Sequence, residues 1–297
     1  MSNFTALLAS GLAQGAIAAL AAVGFLLTYK ATGVINFAQG ALITLGAYVA
    51  IWVTQKGGAF GLGALDPVPG YLVTIGIMFI VGLVLERLAY APLRGRSVHV
   101  VVIATLGASI VVQAFIGLWQ GTTPKFLDSP VTGDVVAVFG ANISTQRIVI
   151  MAVTAVVVVV MIFVFQHTQF GRQLRATAAD RDTARLCGVP VNWLSMLVFG
   201  LSAALAGLAG VLFGPLGVVD INLGFNVMVL GFAAAVLGGF GSIGGVVAGG
   251  IAIGLVEQLL GGYVGRDYKA TFPFILMLLV IALRPQGLFG RTTARRL

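Results

Sequence analysis

Apolar runs of about twenty residues follow one another through nearly the whole chain, which leaves few architectures open. The purest, Ile148 to Phe165, holds Ala155-Val156-Val157-Val158-Val159-Val160 and no charge. In water a β-branched run of this kind reads as a buried strand; its length and its neighbours favour a helix crossing a bilayer. The hydrocarbon core is about 30 Å thick and a helix rises about 1.5 Å per residue, so a span needs about 20 apolar residues. Five further windows pass this test: Leu7 to Tyr29, Val34 to Val53, Tyr71 to Tyr90, His99 to Trp119 and Trp193 to Phe213. The long stretch Val227 to Val264 divides at Gly238-Gly239-Phe240-Gly241-Ser242-Ile243-Gly244-Gly245 into two spans, and Thr271 to Leu283 is short, a tilted or partial crossing. The fold class is therefore an all-α integral membrane protein, a polytopic bundle of about eight or nine transmembrane helices forming one domain over residues 1–297.

Composition agrees. Hydrophobic residues make up 59% of the chain and charged residues 9%, against roughly 25% charged in soluble domains. The net charge of +8 argues for nucleic acid only where a solvated basic face exists; here the basic residues sit in gaps between apolar runs, the pattern of positively charged cytoplasmic loops. Lys30, Arg87, Arg94, Arg96, Arg172, Arg175, Arg181, Arg185, Arg284, Arg291, Arg295 and Arg296 form one set, expected inside. Lys56, Lys125, Arg147, Arg266 and Lys269 fall in the other gaps with Asp66, Asp128, Asp134, Asp220 and Asp267. Nine spans satisfy this alternation with the N-terminus outside and the C-terminus cytoplasmic. Eight require a re-entrant window, and the second is the best candidate, because Thr32-Gly33-Val34-Ile35-Asn36-Phe37-Ala38-Gln39-Gly40 is a polar, glycine-bounded interruption. Irregular backbone at membrane depth survives only where protein or a water-filled cavity covers it. No Lys or Arg precedes the first run, which reads as a retained helix rather than a cleaved signal.

The longest cytoplasmic gap, residues 166–192, contains a polar segment that cannot cross a bilayer. Arg172 to Cys187 reads as one short helix, with Gly171 before it, Gly188 as its stop and Val189-Pro190 beyond. Its apolar positions are Leu174, Ala178, Ala184 and Leu186; Cys187, the single cysteine, reads as a packing residue and excludes an internal disulfide. On periodicity alone the helix is either a connector on the headgroups or a piece that docks into a partner.

Gly239-x-Gly241-x-x-Gly244 matches a dinucleotide fingerprint in form, but it joins two membrane segments rather than a strand and a helix, so a tight turn is the better reading. Gly210-x-x-x-Gly214, Gly245-x-x-x-Gly249 and Gly250-x-x-x-Gly254 offer small faces for helix packing. Glu257 lies in an apolar run, where an acid at mid-span costs about 2.5–3.5 kcal/mol; it faces the interface, the bundle interior or a wet cavity. Ser109 and Gln113, one turn apart, bond to a neighbouring helix or line the path, the helix contact being preferred, and Glu86 with Arg87 reads as an anchor or ion pair. His99 and His167 have no ligand spacing, no metal site or catalytic set emerges, and no G-x-x-x-x-G-K-[ST] loop is present.

Four stretches carry a resemblance. Ala178-Ala179-Asp180-Arg181-Asp182-Thr183-Ala184-Arg185-Leu186-Cys187-Gly188-Val189-Pro190-Val191 resembles the coupling loop of the branched-chain amino-acid ABC importer permeases. Gly33-Val34-Ile35-Asn36-Phe37-Ala38-Gln39-Gly40 with Leu45-Gly46-Ala47-Tyr48 resembles their G-x-I-N-F-A-H-G … G-A-Y signature. Glu86-Arg87-Leu88-Ala89-Tyr90-Ala91-Pro92-Leu93-Arg94 resembles E-R-x-x-Y-R-P-L-R, and Ala235 to Gly245 resembles A-V-L-G-G-x-G-S-I-x-G. The order is that of the family, the matches span nearly the whole chain, and the Arg284 to Gly290 ending fits, as does the length of the smaller, H-type subunit. Gln39 replaces a frequent His and Ala91 a frequent Arg, departures that bear on the substrate.

The resemblance implies a non-catalytic permease subunit in a bacterial inner membrane, carrying no cofactor itself. Its partners would be a second homologous permease, two cytoplasmic ATPases that hold ATP and Mg, and a periplasmic substrate-binding protein; membrane lipid surrounds it and nucleic acid plays no part. The expected cargo is a branched-chain or related apolar amino acid, with urea or short amides as the alternative. A stand-alone secondary carrier or channel is the competing class; it calls for buried ionisable groups, of which the interior offers little beyond Glu257. ATPase coupling is expected at Ala179, Asp180, Asp182, Ala184, Arg185, Gly188, Val189 and Pro190, and the substrate path at Asn36, Gln39, Gly40, Gly238, Gly239 and Gly241.

Overall fold

A computed structural model describes residues 2–55, 65–131, 135–138, 141–265, 271–284 and 287–289. The expected outer charges Lys56, Asp134, Arg266, Asp267 and Lys269, and the C-terminal Gly290, Arg291, Arg295 and Arg296, lie outside the described residues. Eleven α-helices are described, α1 Ser2–Thr32, α2 Gln39–Gln55, α3 Pro67–Leu85, α4 Val98–Gln120, α5 Thr145–His167, α6 Gln169–Ala179, α7 Arg181–Leu186, α8 Val191–Phe213, α9 Leu223–Gly238, α10 Ile243–Tyr263 and α11 Thr271–Leu283. Six helical stretches are long and apolar enough to cross a membrane: Phe4–Thr32, Pro67–Leu93, Val98–Gln120, Thr145–His167, Val191–Leu216 and Ile243–Tyr263. The chain is an all-α, multi-pass membrane protein. Its one sheet among the described residues is a hairpin of β1 Val135–Val138 and β2 Ala141–Ser144, antiparallel with Val135 opposite Ser144. That hairpin was not expected; Val135, Val136, Val138 and Ile143 are the β-branched residues that suit a pleated ribbon.

The residues gather into two compact units. One comprises Leu27–Thr132 and Phe163–Met228. Its centre is α2, which packs on α3, α4 and α8 and is buried along nearly its whole length, from Gln39 to Ile51 and at Val53. Glycine makes this possible: a Cβ on Gly46 would lie 2.5 Å from the Cα of Gly207 on α8. Backbones in direct contact gain dispersion that lipid tails do not supply. By contrast α4 shows Ile103, Ile110, Val111, Phe115 and Leu118 to the outside, as a lipid-facing helix must.

The other unit comprises Met1–Leu26, Gly133–Ile162 and Val229–Leu297. Here α10 is the packed element. Its Gly250 and Gly254 meet α1 at Ala19 and Gly15, and its Gly249 meets α9 at Ala234. Two of the three small-residue faces foreseen thus pack within this unit, and the third, at Gly210, meets the carbonyl of Ile43 on α2 in the first unit. Glu257 is buried on the stripe of α10 that also carries Gly250, Gly254 and Gly261, so it faces protein rather than lipid. The break between α9 and α10 falls where the glycines placed it. Ser242 caps α10 by accepting from the Gly245 N–H at 3.1 Å.

Replacing Gly46 with Ala is expected to cost about 1–3 kcal/mol, the usual penalty for forcing atoms into a packed interior. Gly107→Ala on α4, which meets open space, is expected to leave stability unchanged. Thermal unfolding of the two variants in one detergent separates them.

Candidate functional site

Two polar places lie within the unit built on α2. The first is the break between α1 and α2. Thr32 closes α1: its hydroxyl donates to Thr28 O at 2.7 Å and accepts from the Val34 N–H at 3.1 Å. Residues 33–38 are not helical, yet Val34, Asn36 and Ala38 are buried. Part of their backbone is met by side chains. The Phe37 N–H donates to Thr105 Oγ1 on α4 at 3.3 Å, and Asn36 Oδ1 accepts from the Ala38 N–H at 3.1 Å. Gln39, the first residue of α2, makes a reciprocal pair with Ser202: its Nε2 donates to Ser202 O at 3.2 Å and Ser202 Oγ donates to its Oε1 at 2.9 Å. Ser202 stands midway along α8. The Nδ2 of Asn36 is buried with no hydrogen-bond acceptor, and an unmet buried donor of this kind costs about 1–3 kcal/mol.

Gly40 lies beside the break, but its surroundings are those of packing. A Cβ there would lie 3.0 Å from the Met228 sulfur and 3.1 Å from Gly224 O.

The second place is the polar segment after α5. Thr168 caps α6 by accepting from the Gly171 N–H at 3.3 Å, and Arg175 donates to the Phe165 carbonyl near the end of α5. The expected single helix over 172–187 is in fact two. Asp180 takes an extended conformation between α6 and α7, and its Oδ1 accepts from the N–H groups of Asp182 at 2.9 Å and Thr183 at 2.8 Å. An aspartate offers the backbone this alternative to continuing a helix. The same bonds, from Thr183 and then Asp182, hold its carboxyl below the ordinary carboxylate range.

The stop of α7 is the one expected. Gly188 has φ of 81°; its N–H donates to Arg185 O and the Val189 N–H to Ala184 O, each at 3.0 Å. These are the two bonds of a Schellman motif. Ala184 is buried, and with it Leu174 on α6, while Leu186 is 89% exposed. Ala178, Ala179, Asp182 and Arg185 are exposed as well. Cys187 is exposed, against the expectation of a packing role, because it sits at the end of a helix only six residues long.

The remaining candidates belong to the other unit. Gly238 ends α9, and a Cβ on it would lie 2.2 Å from Gly245 O. Gly239 is the positive-φ residue of the turn, in contact with Gly287, and the Leu288 N–H donates to Leu237 O at 2.8 Å. Gly241 is exposed in the turn. The glycine-rich stretch and the Arg284 to Gly290 ending therefore touch one another through Gly287 and Leu288.

Sequence reasoning missed Thr105, Ser195 and Ser202. The available signal was the seven-residue spacing of Ser195 and Ser202 in an otherwise apolar helix. Sequence reasoning read Glu86 with Arg87 as an anchor or ion pair, whereas the ion-pair partner of Glu86 is Arg94.

The chain matches the family described as the branched-chain amino acid transport system permease component over residues 7–281. It belongs to that family. It is 33% identical to the high-affinity branched-chain amino acid transport system permease protein LivH of Escherichia coli K12 over 289 residues, 95% of this chain and 94% of the relative. It is 34% identical to the corresponding permease protein BraD of Pseudomonas aeruginosa over 294 residues, 96% and 95% of the two chains. A probable LivH of Methanocaldococcus jannaschii is 27% identical over 286 residues, 91% of this chain and 88% of the relative. No solved structure matches the chain significantly.

A cap held by a depressed carboxyl is present above the unfolded carboxylate range and is lost as pH falls through the lowered value. Asp180→Ala is therefore expected to speed amide exchange at Asp182 and Thr183 at neutral pH, and Asp180→Asn to preserve protection. In the wild type that protection should fail only on acidification below the usual carboxylate range. Equal exchange in all three proteins would remove Asp180 from this role.

Proposed function

We propose that this chain is the permease subunit of an ATP-driven importer for branched-chain or related apolar amino acids. The relatives named above carry that transport system in their names, and the family is its permease component. In this reading the whole chain works as one permease domain in a bacterial inner membrane, with eight or nine crossings and a cytoplasmic C-terminus. The second crossing is broken at Gly33 to Ala38. ATP is hydrolysed on two separate cytoplasmic subunits; a second permease completes the path, and a periplasmic binding protein delivers the cargo.

The observation that carries the reading is α7. It is a short, well-capped helix that buries Ala184 and shows Leu186 almost wholly. A leucine so exposed outside the spans is an apolar knob awaiting a partner, and the turn from Gly188 to Pro190 fixes its direction. Ala179, Asp180, Asp182, Arg185, Gly188, Val189 and Pro190 form the part that an ATPase would grip, with Ala184 packed beneath them as its support. A motor that binds one conformation better than another shifts the bundle by that difference alone.

Asn36 and Gln39 are the best path residues. They are polar, buried and lie level with the middle of α8, and the unmet Asn36 Nδ2 offers a donor to water or to cargo. Gly40, Gly238, Gly239 and Gly241 contribute by letting backbones meet or turn. An apolar path with few charges suits an aliphatic side chain.

Co-expression with the cognate ATPase tests the reading. Leu186→Asp is expected to insert normally and to lose most of the co-purifying ATPase. A Cβ on Gly188 would meet no neighbour within 4 Å, but Gly188→Val must hold a left-handed backbone at a cost of about 1–2 kcal/mol; it is expected to retain ATP turnover while uptake falls. Full uptake by the chain without any ATPase would reject the proposal.

A further inference from the structure

The Glu86 to Arg94 motif ends α3 in an unusual way. Residues Glu86–Tyr90 form a π-helical turn, closed by the Ala91 N–H donating to Glu86 O, and Ala91–Leu93 continue as a 3₁₀ turn. Single π turns inside helices occur mostly at functional sites, because they misalign the helix at some cost in stability. This one brings two arginines onto Tyr90. Arg94 pairs with the buried Glu86, and its Cζ stands 6.0 Å from the Tyr90 ring centroid. Arg181, the first residue of α7, donates to Tyr90 Oη at 2.9 Å and reaches Ser195 Oγ on α8 at 3.5 Å.

From Tyr90 the contacts lead to the break. Its ring packs on Phe199 with centroids 5.2 Å apart, and Tyr90, Phe199, Val34 and Val101 form one buried cluster. Val34 belongs to the break itself. Ser195, Phe199 and Ser202 share a face of α8: Ser195 meets α7, Phe199 meets Tyr90, and Ser202 holds Gln39. On α4, Val101 touches the cluster and Thr105, one turn on, holds Phe37. Ser195 and Ser202 are separated by only about 10 Å of helix rise.

We propose that Tyr90 is the positioning residue that transmits movement of α7 to the polar break at Asn36 to Gln39, with Arg181 as its tie to α7 and the Glu86–Arg94 pair holding the π turn that presents it. The tie is made to be remade. The Nε atoms of Arg181 and Arg94 are buried without a partner, so neither guanidinium is locked into a fully satisfied arrangement. A link by one phenol hydroxyl can slip while the rings stay packed. This inference rests on the importer reading, since α7 must be the part a motor moves.

The test uses the full transporter, permeases with ATPases, reconstituted in vesicles with its binding protein. Uptake per ATP hydrolysed is measured for the wild type, Tyr90→Phe and Arg181→Gln. Tyr90→Phe keeps the ring and removes the hydroxyl; Arg181→Gln leaves Tyr90 packed if the first variant folds poorly. Each is expected to lower uptake per ATP by about tenfold, the worth of one hydrogen bond from a charged donor, while assembly and ATP turnover persist. The double variant is expected to lose no more than either alone, since both remove the same bond. A purely structural role would lower thermal stability and leave the uptake-to-ATP ratio unchanged; that ratio, unmoved in both single variants, overturns the proposal. A wild-type chain that takes up substrate with no ATPase bound overturns the importer reading instead.

Discussion

A bilayer interior gives a backbone nothing to bond with, and this molecule is organised by that fact. Each unmet N–H or C=O in hydrocarbon costs several kcal/mol, so the apolar runs fold as helices, which satisfy their own backbone. The constraint bites hardest where the helix stops. Between Thr32 and Gln39 the chain is irregular, with Val34, Asn36 and Ala38 buried, and Thr32, Thr105 and Asn36 supply side-chain partners to the N–H groups of Val34, Phe37 and Ala38. An irregular segment supported this closely is a place where small displacements of α4 or α8 change which groups are satisfied.

The second organising force is close packing. In lipid, helices gain little by hiding apolar surface from one another, so backbones must touch. Gly46 on Gly207 serves one unit and Gly254 on Gly15 the other. Glycine abundance, a weakness in a soluble helix, is here the means of assembly. Outside these contacts stand the capped pieces α6 and α7, whose ends are set by Thr168, Asp180 and Gly188.

Much of this was legible in the chain alone. Six of the expected spans were, because a run of apolar residues has one stable form in lipid. The α9–α10 turn and the glycine faces were legible from spacing, and the glycine stop of α7 from the Gly-Val-Pro sequence. Three things were not. The break before α2 was marked by its polar, glycine-bounded sequence, but not which groups would satisfy it: the side chains of Thr32 and Asn36 capture the backbone locally. The polar helix over 172–187 divides because Asp180 caps a second start. The partners of Gln39 and Tyr90 lie 163 and 91 residues away in sequence, and no local pattern encodes such pairings. Cys187 was read as packed because no metal or redox motif surrounds it, whereas it lies exposed at the end of a six-residue helix.

The central claim is that the segment from α6 to α7 stands on the cytoplasmic side, open to a motor subunit. The single cysteine of the chain lies exposed at its tip, which provides a direct probe. A membrane-impermeant maleimide applied to sealed vesicles of either orientation should label Cys187 only in inside-out vesicles, and less when the ATPase is bound. Labelling of Cys187 in right-side-out vesicles would place the segment on the exterior and contradict the account.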